Sequence, residues 1–134
     1  MKMGIWLLLL VLVIGLAYIR LAPSNPDKWH RDIRAEQNED RANGAVRIIP
    51  GDGESFRKAI GLLGNLPRTH RIDDGSDPNH ATFVTRSVVF GFPDYTTVQH
   101  TGDQLKLFAR LRFGKSDLGV NRKRLEAVLS QVVE

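Results

Sequence analysis

The side chains best suited to chemistry cluster near the C-terminus, in the run Arg112 to Arg124, RFGKSDLGVNRKR. Lys106, Arg110, Arg112, Lys115, Arg122, Lys123 and Arg124 share this part of the chain with a single acid, Asp117. The run joins a strand pattern to a helix pattern, so the first N–H groups of that helix would point into the same corner. Guanidinium groups beside a helix N-terminus suit a phosphate or carboxylate. The expected site therefore gathers Arg86, Arg110, Arg112, Asp117, Asn121, Arg122 and Arg124, with an anionic small molecule or a lipid headgroup as ligand. The competing structural reading has Arg110 and Arg112 covering an open sheet face while Asp117 pairs with Arg122 or Arg124 and pins the turn.

Other chemistries are disfavoured by the spacing. Gly114-Lys115-Ser116 could belong to a phosphate-binding P-loop, but that loop needs a glycine at position 109, where the chain has Ala109. Residues 73–79, DDGSDPN, are a dense acidic turn without the closing glutamate of an EF-hand. His30, His70, His80 and His100 form neither HxH nor HxxxH, and the chain has no cysteine for a thiolate or a disulfide. Ser87, His100 and Asp94 could make a triad on neighbouring strands, yet no nucleophile elbow surrounds Ser87. The expectation is a non-catalytic protein without metal or cofactor.

The elements that must position these residues follow from periodicity. Residues 44–50 read as a strand, and Phe56, Ala59, Ile60 and Leu63 make one helical stripe behind an Asp52 cap. Residues 68–73, 81–90, 95–100 and 105–113 read as four further strands, the last alternating Leu105, Leu107, Ala109, Leu111 against Lys106, Phe108, Arg110, Arg112. Leu125, Val128, Leu129 and Val132 mark the closing helix, capped by Asn121, Ser116 or Asp117. The order strand, helix, four strands, helix predicts an α+β domain with an antiparallel sheet and both helices on one face.

Gly114-x-Ser116-Asp117-x-Gly119-x-Asn121-Arg122-x-Arg124 resembles the signature of the domain of unknown function 1499 family, in which an arginine-bearing strand passes through a glycine into SDxGxNRxR at the start of the last helix. Arg86-Ser87 with Gly91-Phe92-Pro93-Asp94 resembles that family's other marked segment. The resemblance runs from about Ile48 to Val133. It departs at Ala109-Arg110-Leu111-Arg112, where the family more often has serines among its arginines. Family members in bacteria and plant plastids often carry an export signal or anchor, so the resemblance implies an extracytoplasmic domain. It implies no reaction.

Residues 1–22 are set apart by composition. Met3 to Ile19 contains no charge, and ~20 apolar residues at 1.5 Å each reach about 30 Å, enough for a bilayer core. Trp6 and Tyr18 suit the two interfaces, and Pro23 and Pro26 stop the helix. The expected organisation is an uncleaved single-pass anchor over 1–22, a polar tether over 23–43 and a globular domain over 44–134. Trp29 in that tether is expected to rest at the membrane interface or to dock on the domain. Counting Arg20, Lys28, Arg31 and Arg34 against Lys2 puts the domain in the cytoplasm. The short N-terminus resembles an export signal-anchor, and the location expected is the periplasmic side of a bacterial inner membrane. A net charge of +4 adds little about partners. The function expected is a membrane-anchored binding module for an anionic ligand or headgroup. The alternative is an accessory or structural subunit of a larger membrane protein complex. Nucleic acid is not an expected partner.

Overall fold

The computed structural model describes residues 1–133. Helix α1, Lys2–Leu21, is exposed along its length and is long and apolar enough to cross a bilayer. A single turn, α2 (Pro26–Trp29), follows; the Asn25 side chain caps it and Pro26 opens it. Then come β1 (Glu39–Arg41), β2 (Gly44–Pro50), α3 (Gly53–Gly64), β3 (Thr69–Arg71), β4 (His80–Arg86), β5 (Pro93–Thr101), β6 (Gln104–Leu111) and α4 (Val120–Val132).

The strands form one six-stranded sheet in the order β1-β2-β6-β5-β4-β3, antiparallel throughout. From β2 onward the order is the expected strand, helix, four strands, helix, and the fold is α+β. α3 carries the chain from β2 across the sheet to the far edge, and β3 to β6 return as a meander. Asp52 caps α3 by accepting from the Ser55 N–H.

The core lies between one sheet face and the two long helices. Ala45, Ala81, Phe83, Val98, Leu105, Leu107 and Ala109 pack against Phe56, Ala59 and Leu63 of α3 and Leu125 and Val128 of α4. The alternation read in β6 places Leu105, Leu107 and Ala109 here and Lys106 and Arg110 on the other face.

Three local expectations change. Residues 23–43, expected as a tether, fold back over the second sheet face and supply edge strand β1. β4 stops at Arg86 rather than running on to Phe90. Ser87 closes a loop there: its N–H donates to Phe92 O and its Oγ accepts from Phe92 N–H, and Gly91 takes the left-handed φ of 70° that the reversal needs. Asn121 is not the α4 cap. The cap position is Gly119 at φ 81°, and the Asp117 carboxylate receives the Gly119 and Asn121 N–H groups instead.

Candidate functional site

Four cations of the second sheet face are bonded to the backbone of the segment that covers it. Residues 22–36 run as a strap from the end of α1 down the length of β5. The Arg86 guanidinium donates to Ile19 O at 3.1 Å, Ala22 O at 2.9 Å and Gly91 O at 2.9 Å. Arg112 donates to Pro23 O at 2.7 Å and to the Tyr95 hydroxyl at 3.1 Å. Arg110 donates to Trp29 O at 2.6 Å, Thr97 Oγ1 at 2.8 Å and Phe108 O at 3.1 Å. Lys106 Nζ reaches Ala35 O at 3.0 Å. Irregular backbone lying on a sheet has carbonyls without ladder partners, and arginine offers five donors and no acceptor, so it satisfies them without a new debt.

Aromatic packing completes the strap. Trp29 stacks on Tyr95 at 4.1 Å between centroids, so it docks on the domain. The Arg110 guanidinium lies 4.7 Å from the Phe108 centroid and 5.7 Å from that of Trp29. Arg110 has no carboxylate partner among the described residues, and burial pushes its pKa down to about 10. Further along, His30 stacks on His80 at 3.9 Å, His30 Nδ1 meets Thr82 Oγ1 at 2.8 Å and His80 Nε2 donates to Arg31 O at 3.0 Å. Burial, then the His80 charge, lowers the His30 pKa.

The other expected residues sit on the opposite, helix-bearing face. Asn121 is fully buried; its Nδ2 donates to Asp94 Oδ2 at 3.3 Å and its Oδ1 accepts from Arg124. Arg124 lies 3.6 Å from the same Asp94 oxygen. Burial raises Asp94 and lowers Arg124, and the attraction between the two opposes both shifts. Asp117 sits over the first turn of α4. Burial would raise its pKa, but the N–H groups of Gly119 and Asn121 hold it below the usual carboxylate range. The anion position at this helix start is therefore filled by the chain's own carboxylate.

The seven expected residues are thus brought to one end of the sheet but divided between its faces. Arg86, Arg110 and Arg112 hold the strap, while Asp117, Asn121 and Arg124 pin α4 to β5 through Asp94. Arg122 is exposed, with no hydrogen bond or ion pair among the described residues. Between the faces' ends, Ser87, Phe92, Asp94, Phe113, Ser116 and Val120 line a shallow cleft of about 270 Å³. His100 lies at the other end of β5, bonded to Asn79, so Ser87, Asp94 and His100 do not assemble. Sequence reasoning counted Lys106 among the bases of the cluster but left it out of the site, and it missed Tyr95 and the His30–His80 stack. Their partners are distant backbone atoms or strap residues, and backbone atoms leave no signature in a sequence.

A family model described as a protein of unknown function, DUF1499, matches residues 19–132. The chain belongs to the DUF1499 family. The matched span begins in the last turn of α1 and takes in the whole strap, so the DUF1499 unit is larger than the domain delimited from the sequence. No curated protein matches the chain.

Charge in this DUF1499 chain is polarised along the strands. The end that meets α1 carries Arg20, Lys115, Arg122 and Lys123 at its exposed positions, and its acids Asp94 and Asp117 are tied inward. The far end carries Asp73, Asp74 and Asp77 before β4, Asp103 in the β5–β6 turn, and Asp52 and Glu54 at the start of α3, with Arg57 and Lys58 one turn on. Asp73 accepts from Arg71, Thr82 N–H and Gly75 N–H. Burial opposes these bonds, which nevertheless hold its pKa at about 2.

Proposed function

We propose that this protein is a membrane-anchored, non-catalytic module that works at the lipid surface, facing the periplasm of a bacterial cell and taking anionic headgroups at the α1 end of its sheet. The observation that carries this reading is the charge polarity: exposed cations without a protein partner among the described residues stand where α1 leaves the sheet, and the acid-rich turns stand at the opposite end. Lys115, Arg122 and Lys123 are the cations concerned, because Arg86, Arg110, Arg112 and Arg124 already bond protein groups. Each cation held near an anionic surface contributes roughly 1 kcal/mol, so three favour anionic lipid by up to about a hundredfold.

The test uses the full chain in nanodiscs of mixed zwitterionic and anionic phospholipid, released into mild detergent for native mass spectrometry. Anionic lipid should be retained several-fold over zwitterionic lipid. The triple variant Lys115→Ala, Arg122→Ala, Lys123→Ala should lose that preference while keeping its melting temperature. Equal retention of both lipids by the parent chain would sink the reading, and a bound non-lipid anion would replace it with a small-molecule site.

A further inference from the structure

We infer that the β4–β5 and β6–α4 loops form an apolar platform that inserts into the same bilayer that α1 spans, so that the domain is seated in the lipid by its own loops. This deepens the lipid-surface reading and rests on α1 crossing the membrane, but not on any preference for anionic headgroups.

The residues on these loops are unusually bare for their type. Val88 and Val89 are each 71% exposed and Leu118 is 87% exposed, with Phe90 and Val120 about half exposed beside them. Exposed apolar side chains gathered on two loops at one end of a domain mark a contact surface. Leu118 also stands at φ 55°, a conformation a leucine side chain seldom adopts, and there it projects its side chain away from the protein.

What covers the patch is decided by where it is fastened. The Arg86 guanidinium bonds Ile19 O and Ala22 O at the end of α1 and, in the same fork, Gly91 O of the loop. Arg20 donates to Val89 O at 3.4 Å, and its stem lies against Gly91. Phe113, at the start of the second loop, meets Tyr18 edge-to-face at 6.3 Å. Both loops are therefore fixed at the level where the apolar run of α1 ends, which is the level of the bilayer surface. The exposed cations Arg20, Lys115 and Arg122 border the apolar side chains, the arrangement of a surface that sinks apolar groups below the headgroups and leaves its charges among them. A phospholipid bilayer is thus the occupant that this geometry supplies.

The chain has no cysteine, so single probes can be placed at will. Val89→Cys, Leu118→Cys and, at the far end, Asp74→Cys are each labelled with an environment-sensitive fluorophore in the full chain, in nanodiscs of purely zwitterionic lipid. The labels at 89 and 118 should be quenched by lipids brominated high in the acyl chain, and shielded from iodide at least threefold relative to the label at 74. All three positions are exposed, so labelling leaves the core untouched, which an unchanged melting temperature verifies. Iodide access at 89 and 118 equal to that at 74 would overturn the proposal. Shielding from iodide without lipid quenching would also overturn it, in favour of a second copy on the patch. Because the lipid is zwitterionic, failure of the headgroup preference leaves this result intact.

Discussion

Arg110→Ala separates a structural from a ligand-binding role for the basic strand. In the folded chain this buried guanidinium bonds Trp29 O and Thr97 Oγ1 and lies over aromatic faces. Two hydrogen bonds from a charged donor contribute about 1.5–3 kcal/mol each, and the cation–π contact about 1 kcal/mol more. Against this, burial lowers the pKa from the ordinary arginine range to about 10, which at 1.36 kcal/mol per pH unit disfavours the charged form by about 3 kcal/mol. The net loss on removal is then about 1–4 kcal/mol, or a melting temperature lower by roughly 5–20 °C for a domain of this size. The local readout is Trp29, half-buried and stacked on Tyr95; a Trp6→Phe background removes the other tryptophan. With Arg110 gone, Trp29 emission should shift to the red before the sheet melts, as the strap lifts first. Arg110→Lys should recover part of the loss, since an ammonium lacks the planar fork that spans both oxygens. An unchanged midpoint with unchanged Trp29 emission would refute the strap argument. Loss of anionic-lipid retention under those conditions would restore Arg110 to a ligand site.

The neighbouring signature residues should behave in opposite ways. Arg124→Ala leaves the Asp94 carboxylate buried beside Asn121 and should cost about 2–4 kcal/mol in urea unfolding, whereas the exposed Arg122→Ala should stay within about 0.5 kcal/mol; equal losses would contradict the division between them. Gly44→Ala should destabilise by about 2 kcal/mol or more, because its Cβ would collide with the Ala109 carbonyl oxygen and come within 2.9 Å of Arg110 Cα across the β2–β6 ladder. A parent-like midpoint for that variant would show that the ladder can open there. Stability should also fall as pH drops through about 6.5: the folded His30 pKa is lowered, chiefly by burial, so the unfolded chain binds the proton more readily. The His30 contribution is complete above 6.5, and His30→Asn should flatten the melting temperature between pH 7.5 and 5.5.

The helix-facing half of the domain was legible because its signals are side-chain periodicities. Leu105, Leu107 and Ala109 alternate with Lys106, Phe108 and Arg110, and the structure buries the first set under α3 and α4. The Asp52 cap was legible for a similar reason, since its acceptor and donor lie three residues apart. The strap was not legible: a proline-containing polar stretch looks the same whether it is solvated or bonded through its carbonyls, and here the bonds join residues from 64 to 89 positions apart. The end of β4 was misread because Val88-Val89-Phe90 has strand composition. What stops the strand is the Ser87–Phe92 closure, a contact that composition does not encode. Of the three caps the sequence offers for α4, Asn121, Ser116 and Asp117, it is the Asp117 carboxylate that receives the first N–H groups, which frees Asn121 to bridge Asp94 and Arg124.

The strap and the anchor have one mechanical consequence together. The last carbonyls of any helix lack intrahelical donors, and a cation at that end is favoured by the helix dipole. In α1 the Arg86 guanidinium fills both roles, bonding Ile19 O and Ala22 O from a strand of the sheet. Arg112 bonds the next carbonyl, Pro23 O, from just past the end of β6. A helix whose end is bonded by side chains of the sheet does not swivel on a flexible linker, so with α1 spanning a bilayer, as proposed, its tilt would set the tilt of the sheet. In the proposed seating, a fixed tilt would hold the β4–β5 and β6–α4 loops at the lipid surface and keep Asp73, Asp74 and Asp103 directed away from it. Cutting the clamp with Arg86→Ala should therefore free the orientation without removing the anchor. Polarised infrared spectra of oriented bilayers would then show the strand amide order collapsing while the order of α1 persists. Retained strand order in that variant would mean that the remaining strap contacts alone hold the domain in place.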